Sequence, residues 1–186
     1  MAAATEERAA VLVPGGGYST DGPLLMYAGL AVERRGGHAH RVAWAPPLPA
    51  LSAGSHALVA AQVAAAIEAA EATGAASPVV IGKSLGSLAA PVVADRGLAV
   101  VWFTPLLTDQ PTVAALRRSA APCLLIGGTA DRFWDGPAAR SVTRHVVEVA
   151  GADHAMFVPG ELAASAAVLG QVMTAVERFL DQLVWP

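Results

Sequence analysis

The chain has 186 residues, 54% hydrophobic and 15% charged, enough for one domain with a substantial core and far from the composition of a disordered segment. Its net charge of −3 leaves no basic surplus to hold nucleic acid or an anionic membrane. The single cysteine, Cys123, excludes an internal disulfide framework. It lies in the apolar run Pro122–Ile126, where an inert buried thiol is expected.

The start, Met1–Arg8, lacks the basic residues and apolar stretch of a secretory signal. The two most apolar long segments cannot span a bilayer. Ala57–Ala72 is interrupted by Gln62, Glu68 and Glu71, and Leu162–Trp185 by Gln171, Glu177, Arg178 and Asp181. The expectation is a cytoplasmic protein with neither membrane nor nucleic-acid partners. Its alanine-rich composition hints at a bacterial source.

Ala9–Val13 reads as a short buried strand ended by Pro14-Gly15-Gly16-Gly17-Tyr18. Asp21, Gly22 and Pro23 open a helix that closes at Gly36-Gly37, with Leu25, Ala28, Gly29 and Val32 facing inward. His40–Trp44 is a second strand, broken by Pro46, Pro47 and Pro49. A long alanine-rich helix covers Ser55–Thr73. The third strand, Val79–Gly82, runs into a helix that continues to Asp95. Ala99–Phe103 is the fourth strand and Gln110–Ser119 a short helix. Cys123–Ile126 is the fifth strand, Pro137–Thr143 one or two helical turns, and His145–Val149 the sixth strand. A final helix spans Glu161–Leu183. Its stripe of Leu162, Ala166, Leu169, Met173, Val176, Leu180 and Leu183 predicts the face packed on the sheet.

Short continuous apolar strands alternating with helices specify an α/β fold: a three-layer α/β/α sandwich around a mainly parallel six-stranded sheet, formed by residues 1–186 as one domain. In such sheets chemistry collects in loops at the carboxyl ends of the strands. Gly15–Tyr18, Ser84, Thr104–Asp109, Asp131 and Asp153-His154 all fall there.

The sharpest motif is Gly82-Lys83-Ser84-Leu85-Gly86, directly after a strand. This spacing is a nucleophile elbow, in which small residues flank a strained turn that exposes a serine hydroxyl. A serine is a poor nucleophile until a base takes its proton, and the base needs an acid to orient it. Of the five histidines, only His154 lies in a loop after a strand's carboxyl end. For the acid, Asp131 follows the fifth strand directly. Asp135 and Asp109 are alternatives, and Asp153 is expected to shape the turn beside His154. The oxyanion hole requires backbone N–H donors. Leu85 is one candidate, and Gly16 or Gly17 the other. Ser87 reads as a packing residue, and Lys83 as a solvated neighbour able to attract an anionic substrate group.

Three other motif readings fail. Gly82-Lys83-Ser84 resembles the end of a phosphate loop, but Ser77 stands where the loop's first glycine belongs and the residues between are strand-like. Gly15–Thr20 lacks the third glycine of a dinucleotide fingerprint, and no acidic residue follows the second strand. His38 and His40 could share a strand face, but no carboxylate or cysteine cluster supports a metal there. No cofactor and no metal are expected.

With Gly82–Gly86, Gly128–Asp131 and Gly151–His154 in this order, the chain resembles a small α/β-hydrolase over nearly its whole length. The resemblance implies a minimal fold without the usual first two strands, with sheet order 2-1-3-4-5-6. It also implies no cap domain, because Leu106–Ser119 is too short for one. The implied activity is hydrolysis of a small or medium acyl ester or thioester through an acyl-enzyme on Ser84, with His154 as base and Asp131 as orienting acid. Tyr18, Trp44, Trp134 and Met156 are the expected substrate-binding walls. Trp102, Phe103 and Phe157 are further aromatic candidates, with core packing favoured for Trp102. Relatives that perform acyl transfer, lyase or cyclisation chemistry, or that only bind a ligand, keep those alternatives open.

Overall fold

The computed structural model describes residues 7–45 and 53–186. Most of the N-terminal stretch and the proline break at 46–49 lie outside the described residues. Among the described residues, no helix is long and apolar enough to cross a membrane.

Six strands form one sheet in the order β2-β1-β3-β4-β5-β6, and every neighbouring pair is parallel. They are β1 (Ala9–Val13), β2 (His38–Arg41), β3 (Val79–Lys83), β4 (Val100–Phe103), β5 (Cys123–Gly128) and β6 (Val146–Val149). The central strands β1, β3, β4 and β5 are buried along their entire length, which is why their sequences are unbroken apolar runs. β2 is shifted relative to the expected His40–Trp44. Its ladder runs from Ala9↔His38 to Leu12↔Arg41, because β1 offers no partners once Pro14 turns the chain away.

Strand alternation divides the core in two. Val11, Val13, Val80, Trp102 and Leu125 face one side, together with α2 (Ala53–Glu71), α3 (Ala90–Asp95), α4 (Gln110–Arg118) and α5 (Gly136–Val142). Leu12, Val79, Ile81, Phe103 and Ile126 face the other, under α1 (Pro23–Glu33) and α6 (Leu162–Phe179). The expected inward residues of α1 are all buried. Cys123 is enclosed as anticipated, and burial pushes its thiol up to about 12.

Two helices depart from expectation. The segment after the elbow, Ser84–Ala89, winds as a 3₁₀ helix before α3 begins. The Ser87 hydroxyl donates to the Ser84 carbonyl at 2.7 Å and tightens that turn. α6 ends at Phe179 and continues as a π-helical turn, Leu180–Val184. Its buried stripe is also rotated in the N-terminal half. Ser165, Val168 and Val172 face inward, whereas Leu162 is 81% exposed and Ala166 is exposed. The reason is polar: the Ser165 hydroxyl accepts from the Val158 N–H at 3.1 Å, which fixes the helix's rotation.

Two glycines set the elbow's tight fit. A Cβ on Gly82 would lie 2.3 Å from the buried Trp102 ring, and one on Gly86 would lie 2.8 Å from Val13 and 3.0 Å from the Pro14 carbonyl. Gly82→Ala should therefore overpack β3 against β4 and destabilise the fold by about 1–3 kcal/mol. Urea unfolding measures this as a lower midpoint at unchanged slope, and an unmoved midpoint would contradict the packing argument.

Candidate active site

The site is assembled from four loops at the carboxyl edge of the sheet. Ser84 caps β3 with φ 49°, a left-handed conformation costly for a residue with a side chain. The clearance at Gly82 and Gly86 allows this turn, which lifts the hydroxyl above the strand end. His154 follows β6 and Asp131 follows β5.

These three side chains form a line. His154 Nε2 lies 2.7 Å from Ser84 Oγ, and Nδ1 lies 2.7 Å from Asp131 Oδ2. The Asp131 side chain is completely buried, while that of His154 is 34% exposed to the cavity. An ionised carboxylate only accepts, so Nδ1 carries the proton and Nε2 is left to accept from the serine hydroxyl. Asp131 Oδ1 accepts from the Phe133 N–H at 2.9 Å, which fixes the carboxylate's rotation.

The other acidic candidates are placed elsewhere. Asp109 caps α4 by accepting from the Thr112 N–H at 2.9 Å, and it meets His56 at 3.1 Å. Asp135 caps α5 by accepting from the Ala138 N–H at 2.8 Å. Asp153 accepts from the Ala155 and Phe157 N–H groups at 2.8 and 2.9 Å, shaping the turn beside His154 as expected.

The glycine loop lies against the elbow. Gly15 N–H donates to the Tyr18 carbonyl at 2.9 Å and closes a tight turn, so Gly15 is no candidate oxyanion donor. Gly16 abuts Leu85: a Cβ placed on it would lie 3.6 Å from Leu85 Cδ2. Gly16 and Gly17 line a cavity of about 590 Å³ together with Tyr18, Ser84, Asp131, Phe133 and His154. The two glycines among the expected oxyanion donors, Gly16 and Gly17, therefore border the same space as the serine.

The wall residues sort differently from expectation. Tyr18 lines the cavity, and its hydroxyl accepts from the Leu24 N–H at 2.8 Å. Burial pushes that phenol up from its usual range. Trp44 lines a neighbouring cavity of about 550 Å³ across the glycine loop, and its indole N–H donates to the Gly15 carbonyl at 2.9 Å. Trp134 turns away from the site. It lies over Gly127, where a Cβ would sit 2.1 Å from the indole, and donates to Glu148 at 2.7 Å. Met156 is buried in the α1/α6 core, with φ 66°. Trp102 and Phe103 are fully buried, and Phe157 is exposed.

Sequence reasoning missed two neighbours. Phe133 packs edge-on against the His154 ring, with centroids 5.1 Å apart. Its signal was an aromatic two residues past Asp131. Lys83 is 2% exposed rather than solvated. Its signal was a lysine continuing the inward alternation of Val79 and Ile81. Ser87 is more than packing, because its buried hydroxyl also accepts from the Leu106 N–H at 3.0 Å and ties the elbow to the loop after β4. His38 and His40 lie on edge strand β2, and no metal-holding cluster of His, Cys, Asp or Glu occurs among the described residues.

No protein-family model and no curated protein sequence matches the chain. Solved structures do. An α/β serine hydrolase homologue from Coxiella burnetii is 15% identical, with TM-score 0.70 over 95% of this chain and 86% of that one. An α/β serine hydrolase without a lid from Xanthomonas campestris is 15% identical, with TM-score 0.63 over 97% and 84%. A dienelactone hydrolase from Anabaena variabilis is 18% identical, with TM-score 0.70 over 97% and 88%. Together with the parallel sheet order, these likenesses show that the chain has the α/β-hydrolase fold.

Proposed function

We propose that the chain is a serine hydrolase that cleaves small or medium acyl esters or thioesters. The observation that carries this reading is the unbroken line Asp131–His154–Ser84, two contacts of 2.7 Å that end on the wall of an open cavity. Buried Asp131 holds the imidazole tautomer that leaves Nε2 basic. His154 takes the Ser84 proton as the hydroxyl oxygen attacks the substrate carbonyl carbon. The carbonyl oxygen gains negative charge beside the backbone N–H groups of Leu85 and of Gly16 or Gly17, which stabilise it. The tetrahedral intermediate collapses, the bond to the leaving group breaks, and His154 returns its proton to that group. Water repeats the cycle on the acyl-enzyme and releases the acid.

The reaction needs no redox partner, and every proton is accounted for by His154. The serine hydrolase homologue, the lidless serine hydrolase and the dienelactone hydrolase of like fold support the class. Tyr18 and Phe133 give the cavity apolar flanks that suit an acyl chain better than a charged peptide.

A fluorophosphonate probe should label wild-type protein and fail to label Ser84→Ala, read by intact-mass spectrometry. Absence of label on the wild type would sink the activated-serine reading, and label without turnover of any ester would point to acyl transfer or ligand binding instead. Asp131→Asn should lower kcat for an aryl ester by about 10⁴-fold while the protein stays folded, because it stabilises the wrong histidine tautomer. Asp109→Ala and Asp135→Ala should behave oppositely. Each loses a helix cap and about 1 kcal/mol of stability by chemical denaturation. Both should keep their labelling rate, and a collapse of that rate in either would reassign the acid.

A further inference from the structure

Lys83 ends β3 in register with Phe103, and strand alternation sends its side chain into the α1/α6 face after Val79 and Ile81. Its ammonium is enclosed there and, among the described residues, forms no ion pair. Instead, Nζ donates to the Thr104 hydroxyl at 3.0 Å and to the main-chain carbonyl of His154 at 2.8 Å. The Tyr18 ring centroid lies 4.9 Å away. An ammonium has three N–H groups, and here two meet oxygens while an aromatic face supplies a further favourable neighbour for the charge.

The three partners come from three separate loops. Tyr18 belongs to the glycine loop after β1, Thr104 to the turn after β4, and His154 to the loop after β6. Lys83 itself precedes Ser84. One nitrogen therefore joins every loop that carries the serine, the histidine and the candidate oxyanion donors. β6 is three places from β3 in the sheet order, so no strand pairing fixes His154 relative to Ser84. Thr104 is held at φ 42° with its hydroxyl buried against Nζ, a further strained residue maintained at this junction. Methionine would fill much of the same space without the desolvation cost of a cation, so what the ammonium adds is direction.

We propose that Lys83, as an ammonium, is a positioning residue that holds the His154 main chain so that the imidazole stays in line between Ser84 and Asp131. The inference rests on the serine-hydrolase reading above. Burial lowers the Lys83 pKa from its usual value to about 8, although the Asp131 and Asp153 carboxylates draw it the other way. The other ionisable groups around it are His154, which it holds by the carbonyl, Arg132 on the same cavity, and the Tyr18 phenol, whose pKa is raised and which titrates later. As pH rises through about 8, the amine loses one donor and its charge, and its hold on Thr104, His154 and Tyr18 weakens. Below that pH the hold is complete.

The test compares wild type with Lys83→Met on an uncharged aryl ester from about pH 6 to about pH 10, with active sites counted by the fluorophosphonate. At neutral pH, Lys83→Met should lose about a hundredfold in kcat per labelled serine, with KM changed by less than about threefold. Wild-type kcat should fall through about pH 8, and the variant should lack that alkaline limb. A merely structural lysine would reduce the number of labelled serines and leave kcat per serine and the profile unchanged. If wild type turns over ester and Lys83→Met matches it per serine, the positioning role is wrong while the hydrolase reading stands. If wild type neither labels nor turns over, both fall. Should Lys83→Met not fold, the wild-type profile decides, because a kcat that stays level through the alkaline range overturns the inference.

Discussion

The strained turn at Ser84 is the constraint on which the site depends. A serine at φ 49° survives only where the surrounding structure holds it. Gly82 makes room for Trp102 on one side of the turn, and Gly86 makes room for Val13 and the Pro14 carbonyl on the other. The first contact belongs to the pairing of β3 with β4, and the second to the pairing of β3 with β1. The sheet's central register and the exposure of the Ser84 hydroxyl are therefore one packing problem. Parallel strands place the loops after β1, β4, β5 and β6 at the same edge, so whatever those loops carry converges on the serine.

Around this turn, buried polar groups do what apolar packing cannot. The Ser87 hydroxyl donates to the Ser84 carbonyl and accepts from the Leu106 N–H, linking the elbow to the loop after β4. Asp131 offers one oxygen to the Phe133 N–H and the other to His154. Lys83 spans the remaining gap to Thr104 and the His154 carbonyl. Apolar contacts are non-directional and tolerate sliding, whereas these bonds fix distances to a few tenths of an ångström. Burying them carries a desolvation cost, repaid only because each group finds its partner.

Much of this was legible in the chain because its signals are local. The elbow spacing, the loop ending in Asp131 and the loop ending in His154 each follow an apolar run, and six such runs separated by helices specify a parallel sheet. Trp134 and Met156 were misplaced because a loop residue's direction is not local. The indole folds back over Gly127 of β5, and the Met156 side chain turns under the His154 loop into the α1/α6 core. The α6 stripe was misread for a similar reason. Its heptad-like spacing was real, but Ser165 overrode it with a bond to the Val158 backbone. Lys83 read as solvated because lysine usually is. Strand alternation alone directed it inward, and only three loops meeting there provided partners for an ammonium.

By itself the sequence determined the architecture and which serine, histidine and aspartate could meet at one edge. Those follow from periodicity and from the rule that parallel strands present their carboxyl ends together. Tertiary structure decided which aspartate caps a helix and which faces the histidine, which aromatics border the cavity, and that a lysine is buried beneath it. These outcomes depend on distances between loops far apart in the chain, and such distances are set by how two faces of a sheet are packed. No pattern of neighbouring residues contains them.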